Sequence, residues 1–386
     1  MTRNAGRQTL IALLSLVSTF PATAVAYADA IRDSEWHLAY LQIEAAHAIS
    51  TGAGVKIGLP DTGTYPHQDI KENLDPGVDL TETRGNRGEN DKDGHGTELA
   101  GIMVGHGHGR GSADGILGIA PSSHIIPIKA YEAGQQNSRL VNGISLAAHL
   151  GAEVINVSAG TSPSRELRKA IDDALKADSV VIAASGNDSN TAIFSYPAAL
   201  PGVLAVGAID ETGNHASFSI AGPQMGICAP GDDIVTTGLK STYRKARGTS
   251  ASTAIVSGAA ALVRARFPGL SAREVVHRLT ATATDIGAPG WDEQCGYGVL
   301  NIVKALTADV PPLDGGSGPK GGTGGASNGT SATASDSHSA GGSRADGRDG
   351  GGAGRRVGVL GGTAAVLLGG VLVGFFAARR RSRRRP

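Results

Sequence analysis

Five short apolar runs recur through the middle of the chain, each bounded by polar or glycine-rich residues. They are Val55 to Leu59, Ile125 to Ile128, Val154 to Val157, Val180 to Ala184 and Val203 to Val206. All are rich in β-branched residues and largely apolar, the pattern of parallel strands covered on both faces. Lys56, Pro127 and Asn156 interrupt three of them and blur their limits. Between the runs the period lengthens. Leu140 to Leu150 and Ser164 to Ala177 carry helical spacing. Ser271-Ala272-Arg273-Glu274 has the spacing of a capping box, which predicts another helix start. The alternation predicts an α/β fold with a mainly parallel central sheet and helices on both faces, extending over residues 31–310.

Both ends of the chain have a different character. Arg3 and Arg7 precede a mostly apolar stretch from Thr9 to Phe20, and small residues follow as far as Ala28. This is the layout of an export signal over residues 1–28, with cleavage expected after Ala26 or Ala28. Residues 311–354 are Gly-, Ser-, Ala- and Asp-rich with almost no large apolar side chain, and too little surface can be buried there to offset ordering. They read as a flexible linker with an end-to-end distance of roughly 35–40 Å. Residues 357–378 contain no charge, and as a helix they would be about 33 Å long, enough to span the hydrocarbon core. The arginine-rich tail at 379–386 follows at once and assigns that end to the cytoplasm. The expected product is a single-pass protein of the cytoplasmic membrane with its main domain outside.

Composition adds little to this picture and removes several alternatives. Glycine supplies 57 of 386 residues, but much of the excess lies in the linker. The 35 basic and 35 acidic residues cancel, so no global field points to nucleic acid. The two cysteines, Cys228 and Cys295, form no C-x-x-C pair, so a zinc ribbon or a thioredoxin-like site is unsupported. In an exported chain they are either a disulfide or two buried thiols.

Three motifs carry chemistry. Ile57-Gly58-Leu59-Pro60-Asp61-Thr62-Gly63 is a strand ending in a carboxylate and a turn. Asp93-Gly94-His95-Gly96-Thr97 sets a histidine between glycines at the start of an apolar helix, and Gly248-Thr249-Ser250-Ala251 sets a serine at the start of another. A serine hydroxyl needs a base beside it to act as nucleophile, and an imidazole can take that proton and return it to a leaving amine. A buried carboxylate holds the imidazole in the right tautomer. Two further segments sit at strand ends. Ala183-Ala184-Ser185-Gly186-Asn187 offers an amide donor for an oxyanion. Asn156-Val157-Ser158-Ala159-Gly160 offers backbone to an extended peptide, with Ser158, Ala159 and Gly160 as the substrate-binding residues.

Taken in order, Asp-Thr-Gly, His-Gly-Thr, Ser-Gly-Asn and Gly-Thr-Ser resemble the subtilase family of serine peptidases. Asp61 and His95 are 34 positions apart, and His95 and Ser250 are 155 apart. The resemblance covers about Trp36 to Val303. It implies catalysis by Asp61, His95 and Ser250, an oxyanion donor at Asn187, a peptide or protein substrate and no metal in the reaction. Within the family the chain resembles the mycosins associated with type VII secretion, on its layout of signal, domain, linker, span and basic tail. Trp36-His37-Leu38, close behind the signal, leaves no room for a long folding propeptide. The competing expectation is a secretion-complex scaffold whose site is weak or inactive.

Some positions depart from the pattern. Pro60 precedes the aspartate where an aliphatic residue is usual, and Ala254 stands where a proline is usual. Leu59-Pro60-Asp61-Thr62-Gly63 also matches a sortase signal, but at the wrong end of the chain. Glu89, Asp91 and Asp93 form an acidic cluster that reads as a solvated loop, with calcium as the alternative. His106 and His108 read as a glycine-rich solvated loop. No cofactor is expected.

Overall fold

The computed structural model describes residues 30–81, 87–132, 139–187 and 194–313. The export signal at 1–28, the linker beyond its first three residues, the apolar span at 357–378 and the basic tail at 379–386 lie outside the described residues. Among the described residues, no helix is long and apolar enough to cross a membrane.

The strands are β1 (Lys56–Asp61), β2 (Val78–Asp79), β3 (His106–His108), β4 (Asp114–Leu117), β5 (His124–Lys129), β6 (Val154–Val157), β7 (Val180–Ala184), β8 (Leu204–Ile209), β9 (Met225–Pro230), β10 (Ile234–Thr237) and β11 (Tyr243–Ala246). Seven of them form one sheet in the order β2-β5-β1-β6-β7-β8-β9, with every neighbouring pair parallel. β3 pairs with β4 and β10 with β11, both antiparallel. The helices are α1 (Ala30–Asp33), α2 (Trp36–Tyr40), α3 (Ile43–His47), α4 (His95–Val104), α5 (Leu140–His149), α6 (Arg165–Lys176), α7 (Thr249–Arg266), α8 (Ala272–Ala281) and α9 (Ile302–Thr307).

Successive strand side chains point to opposite faces, and both faces are covered. Val154, Val180 and Ile182 pack into one core with Leu99 and Ile102 of α4 and Ile255 and Val256 of α7. Ile155, Val157, Val181 and Ala183 pack into a second core with Leu140 and Ile144 of α5 and Leu167 and Ile171 of α6. This two-sided burial is why the strands read as largely apolar runs. Truncating one of these fully buried side chains to alanine costs about 2–5 kcal/mol.

Side-chain caps set the starts of α6, α8 and α9. Ser164 Oγ accepts from the Leu167 N–H at 3.0 Å and starts α6. The capping box forms at α8: Ser271 N–H donates to Glu274 Oε2 at 2.8 Å, and Glu274 N–H donates to Ser271 Oγ at 3.3 Å. Each such cap is worth about 1 kcal/mol.

Pro60 lies inside β1 in the middle of the sheet, and its missing donor does no harm. The His124 N–H bonds to Val55 O, and the Glu153 N–H to Lys56 O. Alternation therefore directs Gly58 and Pro60 toward β6. Pairing between β1 and β6 ends at Gly58 with Ile155, so the ladder asks nothing of the Pro60 nitrogen. The sortase-like pentapeptide is closed to another enzyme, since Leu59, Pro60, Asp61, Thr62 and Gly63 are all buried. Cys228 on β9 is bonded to Cys295, with 5.0 Å between their Cα atoms, which resolves the two readings of the cysteines.

Candidate active site

In an open parallel sheet, ligands gather at the carboxyl ends of the strands where the order reverses. Here β1 is flanked on one side by β5 and then β2, and on the other by β6, β7, β8 and β9 in chain order. Asp61 ends β1, Ser158 follows β6 and Asn187 follows β7. His95 opens α4 and Ser250 lies in the first turn of α7, two helices that pack against each other on one face of the sheet.

Asp61 is fully buried. Its Oδ1 accepts from His95 Nδ1 at 2.8 Å and from the Thr62 N–H at 2.8 Å. Its Oδ2 accepts from Tyr131 Oη at 3.0 Å. The His95 side chain keeps 29% of its surface open. With Nδ1 as donor, Nε2 is the atom left free to take a proton. The loop carrying His95 is pinned twice. Thr62 Oγ1 accepts the Gly96 N–H at 3.0 Å, and Asp91 accepts the Gly94 N–H at 2.9 Å. Gly96 is required by contact, because a Cβ there would fall 2.0 Å from the Gly63 carbonyl oxygen. A recess of about 700 Å³ flanks this loop, bounded by Tyr65, Pro66, Lys92, Leu239 and Lys240 among others.

Ser250 is half-buried. Its hydroxyl donates to the Ser158 carbonyl at 3.2 Å, and Ser158 Oγ donates in return to the Ser250 carbonyl at 3.1 Å. The three sequence-predicted groups thus form two hydrogen-bonded halves: Asp61 with His95, and Ser250 with Ser158. Asn187 is exposed, and its Oδ1 accepts both the Thr249 N–H at 2.7 Å and Thr249 Oγ1 at 2.9 Å. The amide nitrogen of Asn187 is therefore the end left for a ligand. Gly248 makes room for it, since a Cβ at that residue would lie 2.8 Å from Asn187 Nδ2. Ala159 is half-buried and Gly160 exposed where the chain leaves β6.

Burial alone would hold the His95 pKa down. The charge of Asp61 and its hydrogen bond outweigh that effect, with smaller help from Glu98 and Asp93, and the group is pushed up to about 9. Burial, then the neighbouring Asp61 charge, pushes the Tyr131 hydroxyl well above its ordinary value, so it stays a donor.

The acidic cluster is corrected at Asp91, while Glu89 is half-buried and Asp93 exposed, and the histidine-rich segment is corrected too. Asp91 is buried, not solvated. Its Oδ1 accepts the Asp93 and Gly94 N–H groups, and its Oδ2 accepts the Thr97 N–H and Thr97 Oγ1. That fills the acceptor capacity of the Asp91 carboxylate. Among the described residues, no group of three or more acidic, histidine or cysteine side chains is arranged for a metal. His106 and His108 belong to β3, not to a loop, and His108 Nδ1 pairs with the buried Asp69 Oδ1 at 2.7 Å.

The side-chain roles of two site residues went unnoticed in the sequence. Asn156, read as an interruption of a strand and as the start of the backbone segment offered to substrate, is fully buried; its Nδ2 donates to Ser158 Oγ and its Oδ1 accepts from Ser257 Oγ, each at 3.0 Å. An amide inside a run predicted to be covered on both faces was the available signal. Tyr131 left a weaker one, its place just beyond a strand end.

Comparison with known proteins gives a consistent answer. The subtilase family model matches residues 52–298. Subtilisin DY from Bacillus licheniformis is 36% identical over 261 residues, spanning 66% of this chain and 91% of that protein. Mycosin-1 from Mycobacterium tuberculosis is 33% identical over 340 residues, spanning 72% of this chain and 74% of that protein. The solved structure of MycP1, a serine protease and essential component of the type VII (ESX-1) secretion system, is 31% identical. It covers 75% of this chain and 90% of that one, with a TM-score of 0.64.

Proposed function

The chain belongs to the subtilase family of serine proteases, and on that footing we propose that it is an extracytoplasmic endopeptidase using Asp61, His95 and Ser250. The observation that carries this reading is the 2.8 Å bond between a fully buried carboxylate, Asp61, and the half-open imidazole of His95. A charge buried so completely has a purpose when it holds an imidazole in one tautomer and stabilises its protonated form.

Ser250 Oγ attacks the scissile carbonyl carbon while His95 Nε2 takes its proton. Asn187 Nδ2 and the Ser250 N–H at the start of α7 donate to the oxyanion that forms. The tetrahedral species collapses as His95 returns the proton to the leaving amine, leaving an acyl-Ser250. Water, deprotonated by His95, releases the acid and restores the serine. The substrate lies extended along Ser158, Ala159 and Gly160, adding its backbone to the end of β6. The reciprocal bonds between Ser158 and Ser250 fix that track relative to the nucleophile.

Residues 357–378 tether the domain to the outer face of the cytoplasmic membrane, with 379–386 in the cytoplasm. The likeness to mycosin-1 and to MycP1 supports work beside a type VII secretion system. A second reading, a scaffold with a vestigial site, draws on the Ser250 hydroxyl donating to Ser158 in place of His95. In substrate-free enzymes, however, catalytic hydrogen bonds often tighten only when substrate arrives.

The test is hydrolysis of an unfolded protein by purified full-length chain, read as new amino termini. Cleavage by wild type and none by Ser250→Ala supports the peptidase; no cleavage by the folded wild type supports the scaffold.

A further inference from the structure

Asp61 has two carboxylate oxygens, and the reaction above uses one. Oδ1 faces His95 and the Thr62 N–H. Oδ2, within a fully buried residue, receives one side-chain donor among the described residues, the Tyr131 hydroxyl at 3.0 Å. Tyr131 comes from a different element, just past β5, and lies 70 positions along the chain. Its ring packs against the second core beside α5 and α6, so the hydroxyl is held in place and not merely nearby.

We propose that Tyr131 is a positioning residue for the Asp61–His95 pair, its hydroxyl holding the carboxylate by the oxygen that His95 does not use. The inference rests on the peptidase reading. A carboxylate hydrogen-bonded at both oxygens cannot swing about its Cβ–Cγ bond, so the His95 ring keeps one orientation. The same donor draws charge toward Oδ2 and weakens the pull of Oδ1 on the His95 N–H. Tyr131 therefore moderates the basicity that Asp61 confers on His95. The other charged groups acting on His95 are Glu98 on α4 and Asp93 in the loop before it; Arg244 on β11, which pairs with Glu98 at 3.2 Å, and Asp91 act on Glu98.

The experiment uses full-length protein and a fluorophosphonate probe, whose rate of attachment to Ser250 is followed from pH 5 to pH 11. Tyr131→Phe removes one oxygen and keeps the ring. The rising limb of the pH profile is expected to move up by about half to one pH unit, which slows labelling on that limb roughly 3- to 10-fold. Placing 3-fluorotyrosine at position 131 makes a stronger donor and is expected to move the limb down. The second arm decides the matter if the Phe variant fails to fold, and a purely structural role moves neither limb. Both profiles coinciding with wild type overturns the inference while leaving the peptidase reading intact. A wild type that takes no probe at any pH removes both.

Discussion

Asn187 Oδ1 accepts the Thr249 backbone N–H at 2.7 Å, which fixes which end of the amide faces an incoming carbonyl. Asn187→Asp keeps the acceptor and removes the donor. Turnover on a peptide substrate should fall about 100- to 1,000-fold, the cost measured for such an asparagine in a subtilisin, with KM little changed. Steady-state kcat and KM are the readout. A loss confined to KM would contradict the assigned role.

The base in this mechanism works only when neutral. Burial opposes the His95 imidazolium, but Asp61, Glu98 and Asp93 outweigh it and place the pKa at about 9. Activity should therefore climb with pH through the alkaline range, half-maximal near pH 9. Replacing Glu98 by Gln and Asp93 by Asn removes two of the charges that favour the protonated form. The double variant's pH profile should move to lower pH, by less at high salt, because both groups retain contact with solvent.

His37 should govern acid stability. It is buried with Nδ1 unpartnered, and burial pushes its pKa down to about 3. The folded state thus refuses a proton that the unfolded chain accepts below about pH 6.5. Its contribution is present above that pH and is lost as pH falls toward 3, by up to about 1.4 kcal/mol per unit. His37→Leu should flatten the decline in unfolding free energy between pH 6.5 and pH 4, as measured by denaturant titration.

The Cys228–Cys295 bridge closes a loop with a sequence separation of 67. On the chain-entropy model, removing it costs about 4 kcal/mol. Double substitution to alanine should lower Tm by several degrees, while the active-site hydrogen bonds, which involve neither cysteine, should still support labelling of the folded fraction.

How far the sequence reached depended on the range of the interactions involved. Val180–Ala184 was readable to the residue because two-sided burial writes itself as a continuous apolar run, and Val154–Val157 because three of its four residues are apolar despite Asn156. Arg165–Lys176 was bracketed by its own caps, Ser164 and Ala177. Met225–Pro230 escaped notice because this edge strand is broken by Gly226, Cys228 and Pro230 and resembles a loop. The catalytic candidates announced themselves through local motifs. Their supports did not, since Tyr131 reaches Asp61 and Ser257 reaches Asn156 only after folding. Acidic spacing did not reveal that Asp91 is buried: the pattern is the same whether its oxygens face water or, as here, the N–H groups and hydroxyl that shape the His95 loop.

The account depends on Ser250 being an activated nucleophile, and covalent labelling tests that without knowledge of the substrate. Full-length protein treated with a fluorophosphonate should gain one adduct by intact mass, mapped by peptide sequencing to Ser250. His95→Ala should reduce the rate of attachment by a factor of at least about 1,000, with the fold intact by circular dichroism. An adduct on another residue, or equal labelling of folded wild type and His95→Ala, would contradict it.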